Sequence, residues 1–246
     1  MPLDYASPEG VFRHLLEHYG MAESLCPIQR EALRLCGPLT LSVDEALRGL
    51  DLPRRARALD LGCAVGGNTF RLRHYFDQVV GVDRSKPLLA AARELQQTRE
   101  TSVIWTLEGF EPRTCSVRLP AEVKVEEVEF READILQLPD DLGAFDLVYM
   151  EKVLECLSDP GRGIRQIPKL VAPGGCFVHI SCYWWTKDCT PPEKQLGTPA
   201  QALAAVEEWL APHFTRVRRF NVPFLIQYNT AWFHYGLAEA VIWKRL

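Results

Sequence analysis

Residues 58–69 read ALDLGCAVGGNT. An apolar run closes on Asp60, and Gly62-x-Ala64-x-Gly66 then leads into a helical pattern over 67–76. Small residues there let the backbone turn sharply and let a ligand approach closely. The helix that follows presents unpaired N–H groups. A second apolar run, QVVGVD (78–83), ends at Asp83, 21 residues after Gly62, and KPLLAAARELQQ (86–97) is again helical. Strand, helix, strand and helix at this pace define an α/β fold built on a parallel sheet.

The remaining elements extend that sheet. VEEVEFREAD (125–134), FDLVYME (145–151) and GGCFVHISCYWW (174–185) read as strands. GRGIRQIPKLV (161–171, with an internal Pro168) and QALAAVEEWLAPHF (201–214) read as helices. TRVRRFNV (215–222) and AEAVIWKR (238–245) look like a closing antiparallel pair, and 101–124 is a hairpin or inserted meander. Ahead of the sheet, 9–20, 26–37 and 42–50 are helical, with Gly20 as a C-cap and Ser42 and Glu45 as a capping box. The expectation is a single domain over 1–246: a helical cap (1–52) on a Rossmann-like core (53–246) with C-terminal antiparallel strands.

Composition narrows the function. Lys plus Arg is 28 against 32 Asp plus Glu, a net charge of −4. That balance disfavours nucleic acid, which needs a cationic face, and the runs at Arg54–Arg57 and Arg216–Arg219 read as solvated edges. No apolar run approaches the ~18 residues that span a bilayer. The first 20 residues lack the apolar core of a secretion signal. The eight cysteines include no CxxC pair, and the histidines show no ligand spacing with them. Reduced thiols in a cytoplasmic protein, with no metal, are expected.

The loop's chemistry selects its ligand. A nicotinamide dinucleotide wants G-x-G-x-x-G, with its pyrophosphate on the helix N-terminus. Here Gly62, Ala64 and Gly66 fit G-x-G-x-G, and Asp60 adds negative charge. That charge repels a pyrophosphate but suits the ammonium and sulfonium of S-adenosylmethionine. Asp83, at the second strand's end, is placed for the hydroxyls of a ribose, and Asp134, in EADILQLP (132–139), for adenine. Asp60 and Asp134 also suit plain strand-end caps.

DLGCAVGG, GVDRS, EADILQLP, FDLVYMEKVLECLSDP and KLVAPGGCFVHIS, in this order and spacing, resemble the class I S-adenosylmethionine-dependent methyltransferases. The resemblance covers about 56–182. It implies a seven-stranded, mostly parallel sheet with an antiparallel terminal strand. It also implies a donor site formed by Asp60, Gly62, Cys63, Ala64, Gly66, Thr69, Asp83, Arg84, Asp134, Ile135 and Glu151. A narrower likeness lies in LLEHYG, CPIQREALRLC, LPDDLGAFDLV, YWWTKDCTPPEKQLG and NVPFLIQYNTAWFHYGLAEAVIWKR. These resemble the methyltransferase portion of ovothiol synthases, which methylates an imidazole nitrogen of mercaptohistidine. Two departures face the acceptor: QYNTAWFHY (227–235) replaces that family's charged run, and Lys152 stands where the family usually has Asn.

The resemblance implies a small imidazole acceptor, made by a separate enzyme that installs the chalcogen, since the 246 residues leave no space for such a domain. In-line transfer needs chiefly that nucleophile and methyl be held about 3–3.5 Å apart. Candidate acceptor-site residues are Tyr19, Arg30, Lys152, Tyr183, Trp184 and Trp232. Arg30 suits a carboxylate, Tyr228 and Asn229 orient the ring, and Glu151 with Lys152 suits the amino acid's two charges. His14, His18 and His234 lie within possible reach. The alternatives are a selenium analogue or another small amino-acid derivative as acceptor, a donor-binding regulatory protein without turnover, and a nicotinamide oxidoreductase.

Overall fold

The computed structural model describes residues 6–19, 41–106, 112–227 and 233–246. Its central sheet has seven strands in the order β5-β2-β1-β6-β7-β9-β8. These are β1 (Arg57–Leu61), β2 (Gln78–Asp83), β5 (Val128–Glu132), β6 (Phe145–Glu151), β7 (Val171–Ser181), β8 (Phe214–Gln227) and β9 (Phe233–Arg245). The first five pair in parallel, whereas β9 runs antiparallel to both β7 and β8. The expected reversed strand is therefore present, inserted between β7 and the edge strand β8. A separate antiparallel pair, β3 (Glu100–Thr106) with β4 (Pro112–Arg118), follows the helix over Lys86–Thr98, where a hairpin or meander is expected.

Burial explains why the inner strands are apolar throughout. Strands covered by helices on both faces carry no solvent side, and Phe145–Met150 of β6 are all buried. Leu59 and Leu61 point into one core layer with Val148, Met150 and Val206. Ala58 points the other way, to Leu72, Val43 and Tyr149. The helices are α1 (Pro8–Tyr19), α2 (Leu41–Leu47), α3 (Gly67–Leu72), α4 (Lys86–Thr98), α5 (Pro160–Ile164), α6 (Ile167–Leu170) and α7 (Pro199–Leu210).

Three local expectations change. The 161–171 helix is two short pieces, α5 and α6, because Pro168 has no N–H and fits only in a first turn. The strand expected over 174–185 runs 171–181, and its last four residues form a loop. Ser42 does not cap: it lies within α2, and its hydroxyl meets Tyr149 and Glu151 at 2.7 Å each.

Candidate active site

In an open parallel sheet the strands' carboxyl ends line a common crevice. Here the segments after β1, β2, β5, β6 and β7 meet α1 around a cavity of about 360 Å3. The turn after β1 has Gly62, Ala64 and Gly66 at φ +77°, +47° and +84°. Gly62 is required twice over, since a Cβ there would lie 2.3 Å from Val153 in the opposite wall.

Asp83 defines one end of the cavity. Its two carboxylate oxygens accept the backbone N–H groups of Ala64 (2.9 Å) and Ser85 (2.8 Å). Main-chain donors on both sides fix the carboxylate's plane while leaving lone pairs toward the cavity. Gly62, Ala64, Arg84, Asp134 and Ile135 line the same end. Asp134 also caps the turn after β5, accepting the Leu136 N–H at 2.8 Å.

Glu151 closes β6 and lines the cavity beside Asn68. One of its oxygens accepts three side-chain donors: Ser42 (2.7 Å), Tyr149 (2.7 Å) and the Asn68 amide (3.0 Å). Burial raises its pKa, and these hydrogen bonds act in the opposite direction. Among the described residues, the buried Asn68 carbonyl oxygen has no hydrogen-bond partner. An orphaned acceptor on a cavity wall calls for a donor from a ligand.

The other end is built from α1 and the segments after β6 and β7. Lys152, at φ +53°, pairs through its ammonium with Glu17 of α1 and lies 5.2 Å from the Phe224 ring centre. Burial pulls the Lys152 pKa down to about 8. Glu155 is buried; it accepts the Ser181 hydroxyl (2.8 Å) and both the N–H (3.1 Å) and thiol (2.9 Å) of Cys182. Trp184 is 57 % exposed at the rim, its ring 4.8 Å from that of His234.

Several expected contacts are elsewhere. Asp60, Cys63 and Thr69 lie beneath the loop, not on the cavity wall. Thr69 donates to Asp60 at 2.6 Å, and burial pushes Asp60 up to about 7. Gly66 abuts Phe130 and Phe70. Tyr19 donates to the Val65 carbonyl at 2.8 Å, so it ties α1 to the loop. Tyr183, at φ +52°, is buried in the core against His179. Arg30, Tyr228, Asn229 and Trp232 lie outside the described residues.

The sequence reading missed Arg13, Glu17, Asn68 and Glu155, and left His14 and His18 unassigned. All six line the cavity. Arg13, His14, Glu17 and His18 recur at the three-to-four spacing of one helix face, which is the signal that would have found them. His18 accepts the Gly67 N–H at 3.1 Å, and burial lowers its pKa to about 3, so the ring is neutral. Among the described residues no cluster suited to a metal ion is present, and no helix is long and apolar enough to cross a membrane.

Comparison with known proteins gives similarities along this core. Residues 59–179 match the family model described as "Methyltransferase domain". This stretch, just under half of the chain, is thus similar to methyltransferase domains. The chain is 30% identical over 141 residues to trans-aconitate 2-methyltransferase of Variovorax paradoxus, covering 56% of this chain and 43% of that protein. It is 25% identical over 181 residues to ajmaline N-methyltransferase of Rauvolfia serpentina (69% and 54%). The chain thus spans about half the length of the curated relatives it matches. The N-methyltransferase NodS of Bradyrhizobium japonicum, solved with S-adenosyl-L-homocysteine, superposes with a TM-score of 0.54 over 98% of both chains at 17% identity. The [4+2]-cyclase SpnF does so at 0.59, over 98% and 93%, at 18% identity. The fold shared with NodS and SpnF therefore extends beyond 59–179 to nearly the whole chain, although those two proteins are named for different reactions.

Proposed function

We propose that this protein transfers a methyl group from S-adenosylmethionine to a nitrogen of a small imidazole-bearing amino acid of the mercaptohistidine type. The observation that carries the reading is the division of the cavity. One end holds Asp83 between two main-chain donors, fit for the two hydroxyls of a ribose. The other offers an ammonium, Lys152, and two carboxylates, Glu17 and Glu155, fit for a small zwitterion.

The donor site fits its cofactor on the chain's own chemistry. Asp134 would take an adenine amino group, and Glu151 with the Asn68 oxygen would take the ammonium of the donor's amino-acid tail. When bound, S-adenosylmethionine supplies an electrophilic methyl on a sulfonium. The residues around the acceptor then have one principal task, to hold the ring nitrogen in line. Imidazole titrates near pH ~6.5, so a neutral ring nitrogen is already nucleophilic at neutral pH. Nitrogen as the target agrees with the names of the Rauvolfia relative and of NodS. The Trp184 ring at the rim adds an apolar face for a flat acceptor.

Two measurements test this. Calorimetry with S-adenosylmethionine and with NAD should show binding of the first alone; NAD binding without donor binding would overturn the donor site. Incubation with donor and a panel of imidazole thiols, imidazole selenols and other small amino acids, read by mass, should show one added methyl on an imidazole. Turnover of the selenium compound in preference to the thiol would move the acceptor to that analogue. Donor binding with no methyl on any member would leave a donor-binding protein of another role.

A further inference from the structure

The turn over 186–190 folds back onto the segment after β6. Thr190 is fully buried, and its hydroxyl reaches the carbonyl oxygens of Glu155 (3.0 Å) and Leu157 (2.8 Å), the two neighbours of Cys156. The amides of Cys189 and Thr190 both donate to the Thr186 carbonyl, at 3.1 and 2.9 Å. This closed turn brings Cys189 to the segment that carries Cys156, whose side chain is the strongest influence on the Cys189 thiol; the Cys156 thiol also donates to the Lys152 carbonyl at 3.7 Å. Cys156 lines the cavity, Cys189 is half-buried, and neither is in a disulfide.

We propose that Cys156 and Cys189 are a reversible dithiol–disulfide pair, a modification site in the wall of the acceptor end that a small-molecule disulfide oxidises. Two thiols brought together in this way need little backbone movement to bond, whereas most cysteine pairs lie too far apart. Cys189 is the attacking member. The Cys156 side chain, aided by Thr186 and the charge of Arg84, outweighs burial and brings the Cys189 thiol down to about 6. That lowering favours the thiolate, the form that reacts. Cys182 behaves oppositely: burial and Glu155 push it up to about 12, so it stays a thiol.

The chemistry balances as two exchanges. The Cys189 thiolate attacks one sulfur of the small disulfide, forming a mixed disulfide and expelling one thiolate. Cys156 gives up its proton and attacks the Cys189 sulfur, expelling the second thiolate and closing the Cys156–Cys189 bond. The protein loses two electrons and two protons; the small disulfide gains them as two thiols. Lys152, Glu155 and Cys156 sit within five residues on one wall, so the bond would reshape the acceptor end and leave the donor end unchanged. That consequence rests on the proposed division of the cavity; the bond itself does not.

The test is made on the full-length protein. After reduction, brief iodoacetamide labelling at neutral pH should modify Cys189 roughly tenfold faster than Cys182. In a separate, unlabelled sample, oxidised glutathione should remove two hydrogens from the protein's mass, with Cys156 and Cys189 joined in a non-reducing peptide map, and a reductant should reverse it. Cys189→Ser should abolish both the bond and glutathionylation of Cys156. Cys156→Ser should trap glutathione on Cys189. No bond in the map, or a bond to any other cysteine, would overturn the proposal. Donor affinity by calorimetry should be equal in the oxidised and reduced forms, whereas a loss of donor binding on oxidation would overturn the assignment of the pair to the acceptor end. If the bond forms but no imidazole is methylated, the acceptor reading fails and the redox pair stands.

Discussion

The two ends of the cavity are made in different ways. At the donor end, the turn after β1 and Asp83 at the end of β2 come from 22 successive residues, 62–83, locked by main-chain hydrogen bonds. At the proposed acceptor end, Glu17 meets Lys152 across more than a hundred residues, and Ser181 meets Glu155 across 26. Backbone anchors hold a group's position whatever the neighbouring side chains are. Side-chain anchors pass every substitution on to the site. The donor end is thus suited to a constant ligand, and the acceptor end to one that differs among proteins of this fold.

That contrast can be broken by experiment. The largest effect is expected from Asp83→Ala. Two hydrogen bonds to a charged acceptor contribute about 1.5–3 kcal/mol each, so donor affinity measured by calorimetry should fall more than about a hundredfold. Retained affinity would show that the ribose binds elsewhere. Asp60 tests the support beneath the loop through pH. Its folded pKa, about 7, lies above the unfolded value near 3.9, so the folded state holds the extra proton between them. Its contribution to stability is complete below pH ~4 and is lost as pH rises through 7, by at most ~4 kcal/mol. Asp60→Asn keeps an acceptor for Thr69, and urea unfolding at several pH values should show a flatter profile than the parent protein. An unchanged slope would mean that Asp60 is ionised in the fold.

Gly67→Ala probes the junction of cap and loop, because the added Cβ would lie 2.5 Å from the His18 ring nitrogen. Overpacking of this kind costs about 1–3 kcal/mol. The cost measured in urea should shrink in a His18→Ala background; equal costs in both would place the strain elsewhere. At the acceptor end, Lys152→Met should lower kcat/KM about tenfold, close to 1.4 kcal/mol, while donor affinity stays constant. A matching fall in donor affinity would erase the distinction between the ends. The smallest effect belongs to Tyr19→Phe, which removes one hydrogen bond to the Val65 carbonyl. It should cost about 1 kcal/mol in urea unfolding, and no loss would mean the cap is held by apolar packing.

The same contrast explains what could be read from the sequence. Alternating apolar runs and helical patterns specify the parallel sheet, since burial on both faces leaves little other use for FDLVYM. The glycine turn and Asp83 are legible because their partners are local. The long-range side-chain contacts around the cavity were not. Nothing within a few residues of Ser42 announces that its hydroxyl turns to Glu151, and its nearest pattern, a capping box with Glu45, points elsewhere. Tyr183 and Trp184 look alike as aromatics following a strand. The positive φ at 183 sends one ring into the core and leaves the other at the rim, a choice set by backbone and not by residue type.

The contact between His18 and Gly67 has a consequence for selectivity. The first N–H of α3 is the group that a dinucleotide's pyrophosphate would require. Here that donor already belongs to a neutral imidazole of the same chain. A phosphate arriving at this turn would have to displace a buried ring. The chain itself thus occupies the main-chain donor that a diphosphate would need.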